Sequence, residues 1–317
     1  MGKYIAKRLL LLIPALIAVL IIVFALMRMT PGSAVDALVY KLTSAGIPAD
    51  RASAEAMLGM DKPAVEQFFI WFGDLLRGDM GNSFFQSESV WNIIKTRMPV
   101  TLELGIMTLL ISLCISIPCG LYCAARQDSV SDYSIRVVGV VMMSVPVFWI
   151  ATLVLIYPAL WWQYAPPTHY ISFIESPAEN LRMFLPPAIL GALMQAGMEL
   201  RMVRTVVLET MRQDYIRTAW AKGVGERTIL FKHSLRNAMI PVVTGIGGAL
   251  SMMIGGSVIL ENMFNIPGMG AQVVNSLDNR DYPVVQGCVL IFALFIMIVN
   301  LVVDIAYKWI DPRVELK

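Results

Sequence analysis

The sequence predicts an all-α polytopic membrane protein with six transmembrane helices. Three observations carry that expectation. The 317 residues are 57% hydrophobic and only 15% charged, whereas soluble chains carry about 25% charged residues. Mean hydropathy is +0.67. Long apolar runs recur along the chain, and about 20 apolar residues rising 1.5 Å each cross a hydrocarbon layer of about 30 Å. Length alone would allow about two soluble domains, but this composition needs lipid as part of its solvent. Disorder, a secreted disulfide scaffold and an ordinary soluble enzyme are poor fits. A formal net charge of +2 predicts no nucleic-acid partner.

The first apolar run, 9–27, follows Lys3, Lys7 and Arg8. It is longer than the roughly 7–15 residues of a signal-peptide core, so it reads as a retained first span. The other spans are expected at 100–122, 135–162, 185–207, 238–260 and 284–306. Glu199, Arg201 and Arg204 fall late in the fourth and read as its emergence into water. Residues 28–99 exceed a simple connector. Their cluster Phe68, Phe69, Ile70, Trp71, Phe72, Leu75 and Leu76 is enough to pack one or two short helices on the membrane surface. Segment 163–184 is rich in Pro and Tyr. Segment 261–283 is rich in Gly and Asn and is expected to hold a re-entrant or surface helix. Pro14, Pro118, Pro146, Pro158, Pro186 and Pro187 lie in or beside spans, where each produces a kink or a break. The domain reading is a tail with first helix over 1–27, an extracytoplasmic loop subdomain over 28–99, and a five-helix core over 100–317.

Basic residues orient the chain. With the N-terminus inside, the cytoplasmic pieces hold Lys3, Lys7, Arg8, Arg126 and Arg136, eight residues from Arg201 to Arg236, and Lys308, Arg313 and Lys317. That is about sixteen of the 25 basic residues, and it places both termini in the cytoplasm.

Catalytic signatures are missing. The sequence has no G-x-x-x-x-G-K-[ST], H-E-x-x-H or G-x-S-x-G string. Its two histidines, His169 and His233, are expected on opposite sides of the membrane. Cys114, Cys119, Cys123 and Cys288 all sit in apolar runs. Cys119 and Cys123 share a helix face without a His or carboxylate nearby, so they read as packing residues and not as a metal site. No catalytic residue, metal or cofactor is expected. Glu103 and Asp304 are the ionisable groups read inside spans. Both lie near a helix end, where hydrogen bonding is favoured over a proton relay.

The informative stretch is the loop 208–237, LETMRQDYIRTAWAKGVGERTILFKHSLRN. Asp214 is placed to cap a short helix running from Tyr215 to Lys222, and Gly223 to end it. Thr218, Ala219 and Ala221 are small enough for a close fit into a groove on another protein, with Arg217 and Lys222 available to acidic rims. A second amphipathic helix is expected over 226–237, before Pro241 opens the fifth span. By pattern alone, a docking helix and a basic loop lying on anionic lipid are equally good readings.

The runs DYIRTAWAKG (214–223) and LRNAMIPVVT (235–244) resemble the B-type permease subunit of the dipeptide, oligopeptide and nickel group of ATP-binding-cassette importers. Further matching strings are MTPG (29–32), GDMGNSF (78–84), TLELG (101–105), SVPVFW (144–149), ENMFNIPGMG (261–270), RDYPVVQG (280–287) and DPR (311–313). Their shared order extends the resemblance over nearly the whole chain. It implies the type I importer permease fold in a bacterial inner membrane. It also implies that the loop carries the E-A-A-x-x-x-G motif whose short helix docks on an ATPase subunit. Arg217 stands at the Glu position, followed by Thr218 and Ala219, with Gly223 at the Gly. The absent Glu, and a Leu-Pro displaced to Ile240-Pro241, depart from the general pattern. The implied docking residues are Asp214, Tyr215, Arg217, Thr218, Ala219, Ala221, Lys222 and Gly223. The implied partners are a second homologous permease, two ATPase subunits and an extracytoplasmic solute-binding protein. The implied cargo is a peptide, with nickel chelates, opines and oligosaccharides as alternatives.

In the fifth span Gly247, Ser251 and Gly255 repeat every four residues, with Gly248 and Gly256 beside them. Such a stripe permits close helix packing or lines a pathway. Met142, Met143, Met252 and Met253 read first as apolar filler. The rival classes are a secondary transporter, which would show an inverted repeat, and a polytopic enzyme, which would need a converging catalytic set. Neither feature is evident.

Overall fold

The computed structural model describes residues 2–29, 33–163, 165–167, 169–225 and 228–310, with side chains at all of these except 2–7, 9, 232–233, 235–241, 252–254, 256 and 307–310. Part of the MTPG string, Glu226, Arg227 and the DPR string therefore lie outside the described residues. So do the side chains of Lys3, Lys7, His233, Met252, Met253 and Gly256.

Twelve α-helices follow in chain order among the described residues: α1 (Gly2–Met29), α2 (Ala34–Ser44), α3 (Arg51–Met57), α4 (Ala64–Leu76), α5 (Val90–Ala125), α6 (Val130–Ser144), α7 (Val147–Trp162), α8 (Pro177–Met211), α9 (Asp214–Ala221), α10 (Leu235–Met263), α11 (Met269–Asp278) and α12 (Tyr282–Ile310). α1, α5, α8 and α12 are each long and apolar enough to cross a membrane, and α6 with α7 qualify as one bent pair. α10 supplies a shorter apolar stretch, Val242–Ser251. The protein is an all-α polytopic membrane protein.

The expected third span is broken, not continuous. α6 and α7 meet at 91°. Pro146 has no N–H to give and pushes Val145 into the extended region (φ −86°, ψ 128°). Pro14, Pro158, Pro186 and Pro187 remain inside continuous helices, so proline alone does not decide the matter. α5 and α8 begin at residues 90 and 177, well before the apolar runs that mark their spans. The expected second loop helix begins on residues 226 and 227, which lie outside the described residues; over the described remainder it is not separate from the next helix. A π-helical turn, Ile229–Ser234, runs straight into α10, so residue 241 falls inside that helix.

The chain divides into two compact units. The first comprises residues 1–100 and 267–297. Its first loop holds three short helices where one or two were expected. Ser33 caps α2 by accepting from the Val35 N–H at 3.1 Å, and Asp50 caps α3 by accepting from the Ser53 N–H at 3.0 Å. Hydrogen bonding from the Ser53 side chain, and then from the Ser53 N–H, holds the Asp50 carboxyl below its ordinary range. α4 lays Phe68 and Trp71 on Phe24 of α1, with ring centroids 5.1 and 6.0 Å apart. On α1, Leu20, Phe24 and Met27 are buried while Leu10, Leu11, Ile21, Ile22 and Leu26 stay exposed, a single packed face on an otherwise apolar rod. α5, α11 and α12 share a core of Val90, Ile93, Ile94, Met269, Val284 and Cys288. Gly287 lets α12 approach Val90 closely. Buried Asp281 accepts from the Ser83 hydroxyl and from the Phe84 N–H at 3.0 Å.

The second unit comprises residues 101–266 and 298–317, and in it α8 packs against α6, α7 and α10. Glycine at the crossings lets neighbouring helices close on α8. A Cβ on Gly197 would sit 2.6 Å from the carbonyl oxygen of Gly139 on α6. A Cβ on Gly120 of α5 would meet Val203 at 2.7 Å, and one on Gly245 of α10 would meet Met202 at 2.6 Å. The obstacle at Gly197 is backbone and cannot rotate away. Gly197→Val is therefore expected to cost about 1–3 kcal/mol of overpacking strain or more, read as a lower melting midpoint in detergent. Gly248→Ala, whose Cβ has nothing within 4 Å, is expected not to lower it.

Candidate functional site

α9 is an eight-residue helix held to the rest of its unit by a narrow edge. Ile216 is fully buried and Ala219, three residues on, is half-buried, whereas Asp214, Tyr215, Arg217, Thr218, Trp220, Ala221 and Lys222 are exposed. The amphipathic pattern thus seats one stripe and presents the remaining circumference outward. Gln213, not Asp214, occupies the N-cap, and no side chain caps that end. Asp214 is instead the first helical residue. Its carboxylate lies near the helix's positive end and 3.5 Å from Arg217 in an exposed pair. The C-terminal end matches the expectation for Gly223. Its φ is +76°, its N–H donates to Trp220 O at 2.9 Å, and the Val224 N–H donates to Ala219 O at 3.2 Å. This paired closure uses a left-handed residue that glycine adopts without steric cost. The eight expected docking residues therefore lie together on one short helix and its closing turn. Trp220, not singled out from the sequence, is 45% exposed there beside Tyr215 at 45%.

A cavity of about 950 Å³ opens in the second unit among α5, α6, α7, α8 and α10. Its α10 face includes Thr244, Gly245, Gly248 and Ala249. The stripe Gly247, Ser251 and Gly255 lies on other faces of that helix. Gly247 packs on Val303 of α12, the Ser251 hydroxyl donates to Gly247 O at 3.0 Å, and a Cβ on Gly255 would meet open space. Met143, Met194, Met198 and Met202 line the cavity.

Glu199 also lines this cavity and does not emerge into water. It is 6% exposed, twelve positions before the end of α8. Ser112 and Ser116, one turn apart on α5, donate their hydroxyls to Oε2 at 2.8 and 3.0 Å. Gln195 Nε2 donates to Oε1 at 2.9 Å. Asp132 on α6, fully buried, accepts from Arg204 Nε and the second Arg204 nitrogen at 2.9 and 2.7 Å, and from Arg136 Nε at 3.0 Å. This two-pronged arrangement matches the guanidinium fork. Glu103, half-buried, accepts from Tyr170 Oη at 3.0 Å and Asn180 Nδ2 at 2.7 Å; it is hydrogen-bonded as expected, but it lies well inside α5 and not near a helix end, because that helix begins at residue 90. Burial first, then the Glu103 bond, pushes the Tyr170 phenol up to about 12. Hydropathy counts charges and cannot pair them, so neither the burial of Glu199 nor the Asp132 cluster is legible in the sequence's hydropathy. Serines spaced four apart on a neighbouring apolar helix were the available signal.

Two family models cover the chain. Residues 116–316 match the inner membrane component of binding-protein-dependent transport systems, and residues 1–105 match the N-terminal part of such membrane components. The chain belongs to this family. Among its relatives, a protein named as a peptide permease in Brucella ovis is 36% identical over 99% of both chains. One named as a peptide transport system permease in Brucella suis is 37% identical over 99% of both. The dipeptide transport system permease protein DppB of Escherichia coli K12 is 33% identical over the full length of both. The chain is thus a multi-pass inner-membrane permease component of a transport system, as the sequence resemblance implied. In this permease, α9 is a short helix with most of its circumference exposed, and a cavity of about 950 Å³ lies beside α8 in the same unit.

Proposed function

We propose that this permease is one of two homologous membrane subunits of an ATP-driven peptide importer and forms half of its translocation pathway. The observation that carries the reading is α9, which is seated by Ile216 and Ala219 and exposes Tyr215, Arg217, Thr218, Trp220, Ala221 and Lys222. A short helix seated along one edge and solvent-exposed over the rest of its circumference suits insertion into a groove on an ATPase subunit. Exposed Tyr and Trp are the residue types that anchor such contacts. ATP hydrolysis then resides in two separate subunits, and this chain carries no catalytic role. Closure of the ATPase pair moves α9 with it, and the spans rock between two states. The cargo class rests on full-length similarity to proteins named as peptide and dipeptide permeases.

In this reading the six spans are α1, α5, the α6–α7 pair, α8, α10 and α12, with both termini cytoplasmic as the basic residues direct. Residues 28–99 and 261–283 then face outward and receive an extracytoplasmic binding protein. Gly247 and Ser251 serve packing, while Gly255 faces a partner or lipid. Affinity purification of the tagged chain from its native membrane tests the reading. Two nucleotide-hydrolysing subunits and a second six-span permease are expected to copurify. Recovery of the chain without ATPase subunits, under conditions that keep it folded, would refute the proposed assembly.

A further inference from the structure

The carboxylate of Glu199 is an unusual group to hold in the wall of an apolar cavity. Among the described residues its three hydrogen-bond partners are all neutral donors, and no cation lies within ion-pair distance of it. A buried charge is normally matched by an opposite one. A carboxylate has about four acceptor positions. Ser112 and Ser116 fill those of Oε2 and Gln195 takes one on Oε1, which leaves one position open. Around it the wall is thioether: Met194, Met198 and Met202 lie on the same helix, and such side chains adapt to varied shapes.

We propose that Glu199 is an ammonium-binding subsite that takes the α-amino group of a peptide passing through the cavity. The inference rests on the reading of this chain as a peptide permease and adds the contact by which cargo is held in transit. One open acceptor fits the compact point charge of a primary ammonium better than the two-pronged guanidinium. The side-chain oxygen of Gln195, one turn away, offers a second acceptor. Peptides share their terminal ammonium and differ in their side chains. A fixed anion in a pliable wall therefore recognises what is common and tolerates what varies. Arg201 lines the same cavity and supplies the opposite charge for the other end of a zwitterion.

The test uses the complete complex with its binding protein in proteoliposomes and labelled Ala-Ala as probe. Glu199→Gln keeps the size of the side chain and an oxygen for the two serines. Its complex is expected to assemble and hydrolyse ATP, yet to lose at least tenfold in Ala-Ala uptake, with Glu199→Asp recovering part of it. Uptake within twofold of wild type in Glu199→Gln would overturn the proposal and leave the carboxylate a structural tie between α5 and α8. Failure of the wild-type complex to carry Ala-Ala would instead strike the peptide reading itself. Should Glu199→Gln fail to assemble, a Met198→Cys complex gives an independent readout. Ala-Ala is expected to protect that thiol from alkylation at least fivefold better than N-acetyl-Ala-Ala, which has no ammonium. Equal protection by the two overturns the proposal.

Discussion

Replacing Trp220 with Ala and Ala221 with Leu is expected to abolish ATP-driven uptake and to release the ATPase subunits from the permease. Both residues are exposed on α9 and neither belongs to the stripe that seats the helix. Trp220→Ala removes an aromatic anchor of the kind whose loss costs about 2 kcal/mol or more, roughly thirtyfold in affinity. Ala221→Leu adds bulk where the proposed docking needs a methyl group, and leucine keeps helix propensity. The permease itself is therefore expected to insert, with an unchanged melting midpoint in detergent. Ala219 makes a poorer target because it is half-buried against its own chain, so a charge there would unseat α9 before it blocked a partner. Quantitative copurification of ATPase with the double variant, alongside its melting curve, separates lost docking from lost folding.

Asp132→Ala is expected to be the most destabilising single change in the second unit. Asp132 is completely buried and accepts from two arginines, and the Arg204 side chain is only 14% exposed. Removing the carboxylate leaves Arg204 desolvated without its partner, a loss of about 3–5 kcal/mol when one member of a buried pair is deleted. It also removes the acceptor for the Asp128 N–H at 3.0 Å, where Asp128 holds φ at +61°. Replacing both members, Asp132→Leu with Arg204→Met, is expected to recover most of the midpoint, because apolar residues of similar volume pack without desolvating a charge. Thermal unfolding of the two singles and the double measures the coupling.

Much of this architecture is legible in the sequence because lipid leaves few alternatives. Apolar runs marked α1, α5, α8 and α12, and a basic loop with small residues marked α9. Helix ends were harder to read. α5 and α8 extend into polar sequence because their first turns pack in the protein, a tertiary effect that hydropathy does not record. The break at Pro146 and the continuity at Pro158 carry the same residue type with opposite outcomes. Only at Val145 does the preceding residue leave the helix. Buried charged residues are the least legible part of the sequence. Glu199 and Arg204 look like the edge of a membrane when counted. In three dimensions one meets two serines on α5 and the other closes on Asp132. The sequence stripe Gly247, Ser251 and Gly255 is equally readable as a packing face or as a face toward the pathway or a partner; Gly247 contacts Val303. Its neighbours Gly245 and Gly248 border the cavity, and a single period could not distinguish those faces.

In the proposed assembly this permease moves cargo only when driven through α9 by a nucleotide-hydrolysing partner. The direct measurement is uptake of a labelled dipeptide against its gradient in proteoliposomes holding the permease pair, with and without the ATPase pair and ATP. Accumulation is predicted only when ATPase subunits, ATP and loaded binding protein are all present. Uphill accumulation by the permease pair alone would contradict it.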